Sequence, residues 1–331
     1  MTGRQGTHRH PERLHAEAWS RALVAHGAAP ARSPWLSAHL FYQGSSDLVL
    51  REMVRPLVRD LRDRGLLARH FFLRHWRGGP HVRLRLLPHD GGDVAEVRDA
   101  VREGCRRFFH TRPAPDTLPP AAYAELARTL GRLEPGEPEL PLQPNNSQQF
   151  IEYRPEHHKY GTGAALAAVE RHFEESSDLV LGLVDRDVPA ARRRVLAFGA
   201  LLAGEPDPTA LAQRLDRSRR AWGTVIARDT RDGAGAAAVY GERRATLAAV
   251  ARAMRRGEDT GDAFLDGWRR SVTALCRTLA GLEASPDTAF VIDNCAHLLC
   301  NRLGITLSDE WFLRGLAVRA ATELRDEERP A

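Results

Sequence analysis

The sequence predicts an α+β fold, with a strand-containing N-terminal half and a helical C-terminal half, and three observations predict it. Short apolar runs bounded by turn residues fall between residues 38 and 153, which is the pattern of strands. From Gly163 onward apolar residues recur at helical spacing, punctuated by Gly204, Gly223, Pro286 and Gly304. Strand and helix patterns do not interleave along the chain, so the two classes segregate rather than building a parallel α/β sheet.

Taken in order, residues 1–33 read as a polar N-terminal extension with a short helix near 12–26, and residues 34–331 as one folded unit. Residues 38–42 form the first strand. Gly44-Ser45-Ser46-Asp47 supplies a turn and a helix N-cap, and Leu48, Met53, Val54, Leu57, Val58 and Leu61 then mark an amphipathic helix ending at Gly65. Strands at 70–74 and 82–86 bracket Trp76-Arg77-Gly78-Gly79-Pro80, a Gly-rich turn. Residues 113–144 are rich in Pro and Glu with one helical patch at 123–130, an irregular excursion of the kind that serves as a flap. Residues 148–153 alternate like a strand before the Pro155 turn. Helices are expected at 164–180, 189–202, 209–222, 236–254, 263–282, 288–303 and 309–324.

Composition excludes several classes of protein. The chain has 331 residues, 43% of them apolar, enough for a substantial core, yet no run approaches the roughly 18 apolar residues of a membrane span. The polar N-terminus carries no secretory pattern, so a cytoplasmic protein is expected. Cys105, Cys276, Cys295 and Cys300 show no C-x2-C spacing and read as free buried thiols. No phosphate-binding glycine motif is present, and no cofactor is expected. The formal net charge is +5, and Lys159 is the single Lys among 48 basic residues. That balance suits an acidic partner without choosing among nucleic acid, an anionic peptide and a carboxylate substrate.

Three constellations carry chemistry. Alternation on a strand puts His81, Arg83 and Arg85 in one row while Val82, Leu84 and Leu86 enter the core. Two guanidiniums side by side repel each other unless an anion or carboxylate bridges them, although an exposed sheet face would read the same way. Tyr153, Glu156, Lys159 and Tyr160, with His157 and His158, crowd proton-handling groups into one turn, as acid–base work requires and as a solvated turn also allows. The adjacent imidazoles lack a third ligand at helical spacing, so no metal is expected. His297 and Asn301 lie four apart on one helix face, with Asn294 a turn earlier. A histidine held by an amide there serves as an acid or base, or as a satisfied core residue.

In this order, the motifs resemble a known family. Trp35-Leu36, Phe41-Tyr42, Pro56-Leu57-Val58, Phe71-Phe72-Leu73-Arg74-His75-Trp76 and Gly78-Gly79-Pro80-His81-Val82-Arg83-Leu84-Arg85 resemble the start of the C-terminal elimination domain of lantibiotic dehydratases. That domain also occurs as stand-alone thiopeptide-type bacteriocin biosynthesis proteins. Tyr153-x-Pro155-Glu156-x-x-Lys159-Tyr160-Gly161 resembles its central motif, and His297-Leu298-Leu299-Cys300-Asn301-Arg302-Leu303-Gly304 its C-terminal one. The resemblance runs from about Trp35 to the end.

The resemblance implies the elimination-domain fold and a part in maturing a ribosomally made peptide. In the dehydratases the domain removes glutamate from glutamylated Ser or Thr. The resemblance assigns the paired arginines to Arg83 and Arg85, the acid to Glu156 and the histidine to His297. Where the family usually has Arg, this chain has Lys159, a point charge without the bidentate fork for a carboxylate. Together with the free-standing chain and its extension, this favours a second activity of the fold, that of thiopeptide pyridine synthases. These join two dehydroalanines by aza-[4+2] cycloaddition and release water and the leader peptide. Glutamate elimination by a split-dehydratase subunit and non-catalytic leader binding are the alternatives. Catalysis is expected from Tyr153, Glu156, Tyr160 and His297, and substrate binding from His81, Arg83, Arg85, Lys159 and Asn301. The expected partners are the modified precursor peptide, its leader held by strand addition at a sheet edge, other enzymes of the same biosynthesis, and a second copy in a homodimer. Neither a membrane nor nucleic acid is expected as a direct partner.

Overall fold

A computed structural model describes residues 33–90, 92–131, 140–226, 233–257 and 259–328, and one compact unit begins at Pro34. The helix expected near 12–26 lies outside the described residues.

The alternating segments form one antiparallel sheet. Strands β1 (Leu36–Phe41), β2 (Leu67–His75), β3 (His81–Pro88) and β4 (Ser147–Phe150) lie in the order β2-β3-β1-β4. The last is shorter than expected, ending at Phe150 rather than 153, because Pro155 and the turn after it take the chain out of the sheet. Register pairs Ser37 with Arg85, His39 with Arg83 and Phe41 with His81. On the other side Phe71 pairs with Arg85, Leu73 with Arg83 and His75 with His81. Paired residues of antiparallel strands share a face, so the row expected on β3 is the centre of a wider polar and aromatic face. The opposite face holds Ala38, Leu40, Val82, Leu84 and Leu86, none more than 1% exposed. Each such Val or Leu contributes roughly 1.5–3 kcal/mol by leaving water, which fixes the register and so the direction of the arginines.

The first helix, α1, runs through Ser46–Val49, a π-helical turn Leu50–Val54 and Arg55–Asp63. Pro56 has no N–H to return to the preceding turn, and the widened turn takes up that gap. A helix that the sequence pattern does not mark, α2 (Val94–Thr111), starts at Asp93, whose side chain accepts from the Ala95 N–H at 2.8 Å. Its apolar stripe is narrow, with Val97, Val101, Cys105 and Phe108 buried among charged residues. Helix α2 packs on β1 and β4, and α1 on β2 and β3.

Residues 113–144 contain α3 (Pro120–Gly131), and the described part is tied down rather than free as a flap. The Gly78 N–H donates to the Tyr123 hydroxyl at 2.7 Å, and that hydroxyl donates to the Leu140 carbonyl at 2.7 Å. Gly79 sits at φ +103°, where a Cβ would come within 2.8 Å of Leu142 Cδ1. The remaining helices are the single turn α4 (His157–Tyr160), α5 (Gly163–Val184), α6 (Ala190–Leu201), α7 (Pro208–Ile226), α8 (Gly233–Arg256), α9 (Ala263–Ala280), α10 (Thr288–Leu303) and α11 (Leu307–Glu328). All four cysteines are free.

Helices α5 and α10 seal the outer edge of β2. Ser177 Oγ accepts from the Phe72 N–H at 3.2 Å, and Arg302 Nε donates to the Phe72 carbonyl at 2.9 Å. Two residues on, Asn301 grips Arg74 twice, accepting from its N–H and donating to its carbonyl, both at 2.9 Å. These side chains do what a fifth strand would do, and β4 remains the other end of the sheet.

Candidate active site

The site grows from the polar face of β3. Arg85 is 7% exposed, donates to Ser37 Oγ at 2.6 Å, and lies over the Tyr153 ring at 5.3 Å. Burial, and then Arg83 beside it, push the guanidinium down to about 9. Among the described residues no carboxylate pairs with Arg85. A buried cation without a counter-ion is costly, and such a group is kept where it can meet negative charge on a ligand.

Three imidazoles flank the arginines. His81 hydrogen-bonds the Gly79 carbonyl through Nδ1 at 2.8 Å, and its Nε2 accepts from Arg83 Nε at 3.3 Å. Both ring nitrogens are therefore engaged within the protein, and burial, foremost, pushes the ring down to about 2. A neutral His81, expected to bind substrate, holds Arg83 in place in this structure. His39 stacks on His81 with centroids 4.9 Å apart and is driven far below the usual range by burial and by Arg85. His75 lies 5.3 Å from His81 and accepts from the Arg77 N–H at 3.1 Å.

The central motif reaches this face through Tyr153, whose ring meets Trp35 and Phe71 edge-on at 6.3 and 5.7 Å. Burial, with carboxylates nearby, pushes its phenol well above the usual range. Four residues later the chain makes α4, in which Lys159 Nζ and the Glu156 carboxylate form an ion pair. The ammonium is thus engaged by its own motif, and both groups keep access to solvent. Tyr160 points inward, 3% exposed, edge-on to Phe173 at 5.4 Å. Burial raises its phenol, and Glu156, Tyr153, Cys295 and Arg302 all act on it electrostatically.

His297 belongs to a second cluster. The Glu310 carboxylate binds its Nδ1 at 2.8 Å, and because a carboxylate only accepts, Nδ1 carries the proton and Nε2 is the basic nitrogen. Arg314, fully buried, donates to Glu310 at 2.8 and 3.0 Å and to Asp293 at 2.6 Å. Burial works to raise Glu310, but His297 and Arg314 outweigh it and hold the carboxyl low. A cation–π contact joins Arg85 to Tyr153, a backbone hydrogen bond joins Tyr160 to Glu156, and side-chain hydrogen bonds join His297, Glu310, Arg314 and Asp293. Asn301, expected to bind substrate, gives both amide atoms to the Arg74 backbone at the edge of β2.

Sequence reasoning missed Glu170, 7% exposed on α5, which accepts from Trp35 Nε1 at 3.2 Å and faces Tyr153. A carboxylate between Val169 and Phe173, both buried on α5, was the available signal. It also missed His70, Glu174 and Asp178, whose donor atoms lie within 4.8 Å of one another, close enough to hold an ion. Arg62 already donates to Glu174 at 3.0 Å and to Asp178 at 3.0 and 3.1 Å. A guanidinium therefore balances these carboxylates.

The fold and motifs agree with comparisons to known proteins. Residues 35–321 match the family described as lantibiotic biosynthesis dehydratase C-term, and the chain belongs to that family. Among solved structures it is similar to TbtD, the pyridine synthase from thiomuracin biosynthesis, with 21% identity and a TM-score of 0.70 over 90% of this chain and 100% of that one. It is similar also to MibB, the tRNA dependent lantibiotic dehydratase from Microbispora sp. 107891, with 19% identity and a TM-score of 0.58 over 92% of this chain. The chain spans 29% of MibB. TsrL is a third, with 16% identity and a TM-score of 0.54, covering 90% of this chain and 99% of that one. At these identities the likeness is one of fold. No curated protein sequence matches the chain.

Proposed function

We propose that this chain matures a ribosomally made, already modified peptide by closing a six-membered nitrogen heterocycle, through aza-[4+2] cycloaddition of two dehydroalanines with loss of water and leader. The observation that carries the reading is Arg85, a buried guanidinium beside Arg83 and over Tyr153, with no carboxylate partner among the described residues. Such a group stabilises negative charge that develops on a substrate oxygen. Cycloaddition needs an amide held as its imidic-acid tautomer, so a carbonyl oxygen must gain a proton while the nitrogen loses one. Tyr153, whose ring lies under the Arg85 guanidinium, is the donor in this reading, and Glu156, Tyr160 and His297 supply further proton transfers, each worth about 10²–10⁴-fold in rate.

Glutamate elimination is the second reading. It needs a cationic fork for the glutamyl carboxylate, and Lys159, paired with Glu156, is a point charge. The match to the whole of a pyridine synthase at the higher TM-score also supports ring formation. No helix among the described residues is long and apolar enough to cross a membrane, and the setting we propose is the cytoplasm, without a cofactor. The leader docks by strand addition along β4, since α5 and α10 close the other edge.

The test is incubation of the purified chain with a linear peptide bearing two dehydroalanines, followed by mass spectrometry. The expected result is a leader amide and a product with pyridine absorbance. An inert dehydroalanine peptide, combined with glutamate loss from a glutamylated one, overturns ring formation in favour of elimination.

A further inference from the structure

Resting on the reading of Tyr153 as a proton donor, we propose that Glu170 is the proton store behind it, a positioning residue that re-protonates the phenol as the phenol protonates substrate. Carboxylates are seldom buried without a charged partner, yet Glu170 is 7% exposed and its one hydrogen bond of good geometry comes from the Trp35 indole at 3.2 Å. Its Oε1 is sealed from solvent and completes no bond of its own. Trp35 touches both groups, its Nε1 donating to Glu170 and its ring meeting Tyr153 edge-on at 6.3 Å, so the phenol and the carboxyl flank one indole. Trp35 and Phe71 wall the Tyr153 ring edge-on, and Arg85 covers its face. A glutamine would serve Trp35 equally well without burying an ionisable group, so the carboxyl needs another reason.

The phenol supplies that reason. Tyr153 is partly buried, and its phenol is pushed well above the usual range, so a bare tyrosinate is disfavoured near neutral pH. A relay avoids it. The phenolic proton moves to the substrate oxygen, forming its O–H bond, while the Glu170 O–H bond breaks and that proton moves to the Tyr153 oxygen. Tyr153 ends neutral, and Glu170 ends as a carboxylate. The groups facing Glu170 suit both of its states. Burial raises its carboxyl above the usual range, whereas Tyr153, Trp35, Arg69 from β2 and His157 from α4 favour the carboxylate, and Arg85 and Glu156 act through Tyr153.

Glu170→Gln and Tyr153→Phe test this in the full chain. The expected result is a loss of about 10²-fold or more in kcat/KM for each, unchanged leader binding, and a double variant no slower than the slower single one. Glu170→Gln also loses one limb of the pH–rate profile, which Glu170→Asp retains. Difference infrared spectroscopy reads the group directly: a protonated-carboxyl band that persists above the ordinary carboxylate range, absent in Glu170→Gln and shifted in midpoint by Tyr153→Phe. A wild-type pH profile in Glu170→Gln, or a band that titrates in the ordinary range, overturns the proposal. If the protein eliminates glutamate instead, ring formation falls as a function, while the infrared band and the pH limb of that reaction still decide the role of Glu170.

Discussion

Arg85 and Arg83 sit two residues apart, yet the protein treats them differently. Arg83 leans on a neutral imidazole, and its geometry depends on His81 keeping Nε2 as an acceptor. Arg85 is held by a single hydroxyl and an aromatic face, contacts that orient a guanidinium without neutralising it. Replacing Arg85 with Lys keeps the charge but removes the planar fork that reaches Ser37 and a substrate oxygen together. We expect Arg85→Lys to lower turnover by about 10²-fold or more, the range for loss of one preorganised donor, with leader affinity unchanged. Stopped reactions followed by mass spectrometry and a leader-binding titration measure the two. An equal loss in both would make Arg85 part of peptide docking rather than chemistry.

At the scale of elements, the edge of β2 shows how helices can stand in for a strand. Asn301 on α10 presents an amide with the donor and acceptor of a peptide group, and it bonds both backbone atoms of Arg74. Removing it leaves two strand groups without partners. At about 0.5–1.5 kcal/mol net for each bond, Asn301→Ala is expected to cost about 1–3 kcal/mol in urea unfolding. Its leader binding should stay near wild type at temperatures where the variant is folded. Undiminished stability with lost peptide binding would restore the substrate role read from sequence.

The whole molecule keeps several histidines neutral in its interior, and this sets its response to acid. His70, His81 and His172 are pushed down to about 4, 2 and 3 by burial, and His39 lower still. An unfolded chain takes up protons at these sites below about 6.5, whereas the folded one does not until far lower. Stability is therefore complete above about pH 6.5 and lost as pH falls toward 4, by about 1.4 kcal/mol per pH unit for each histidine. Chemical denaturation between pH 7 and 5 should show this slope, and His39→Phe should lower it by one histidine's share; a slope unmoved by the variant would refute the account. The strands and the long helices were legible because burial of one face imposes a period, and Val82, Leu84 and Leu86 are a clear case. Helix α2 was not, because four apolar residues among many charges give a narrow stripe. Of the site, the Arg row and the central motif could be read from spacing. That His81 faces inward, that Asn301 serves a strand, and that Glu170 meets Tyr153 depend on pairings across long stretches of chain, about which local pattern says nothing.

The closed edge of β2 also limits what the sheet can assemble with. A sheet open at both ends can hand on pairing from copy to copy, and such chains grow into fibres. Among the described residues one end is capped by three side chains, which leaves the β4 end to accept a strand. The sheet is monovalent: a peptide that takes that end leaves nowhere for a second, and two copies joined there would terminate each other.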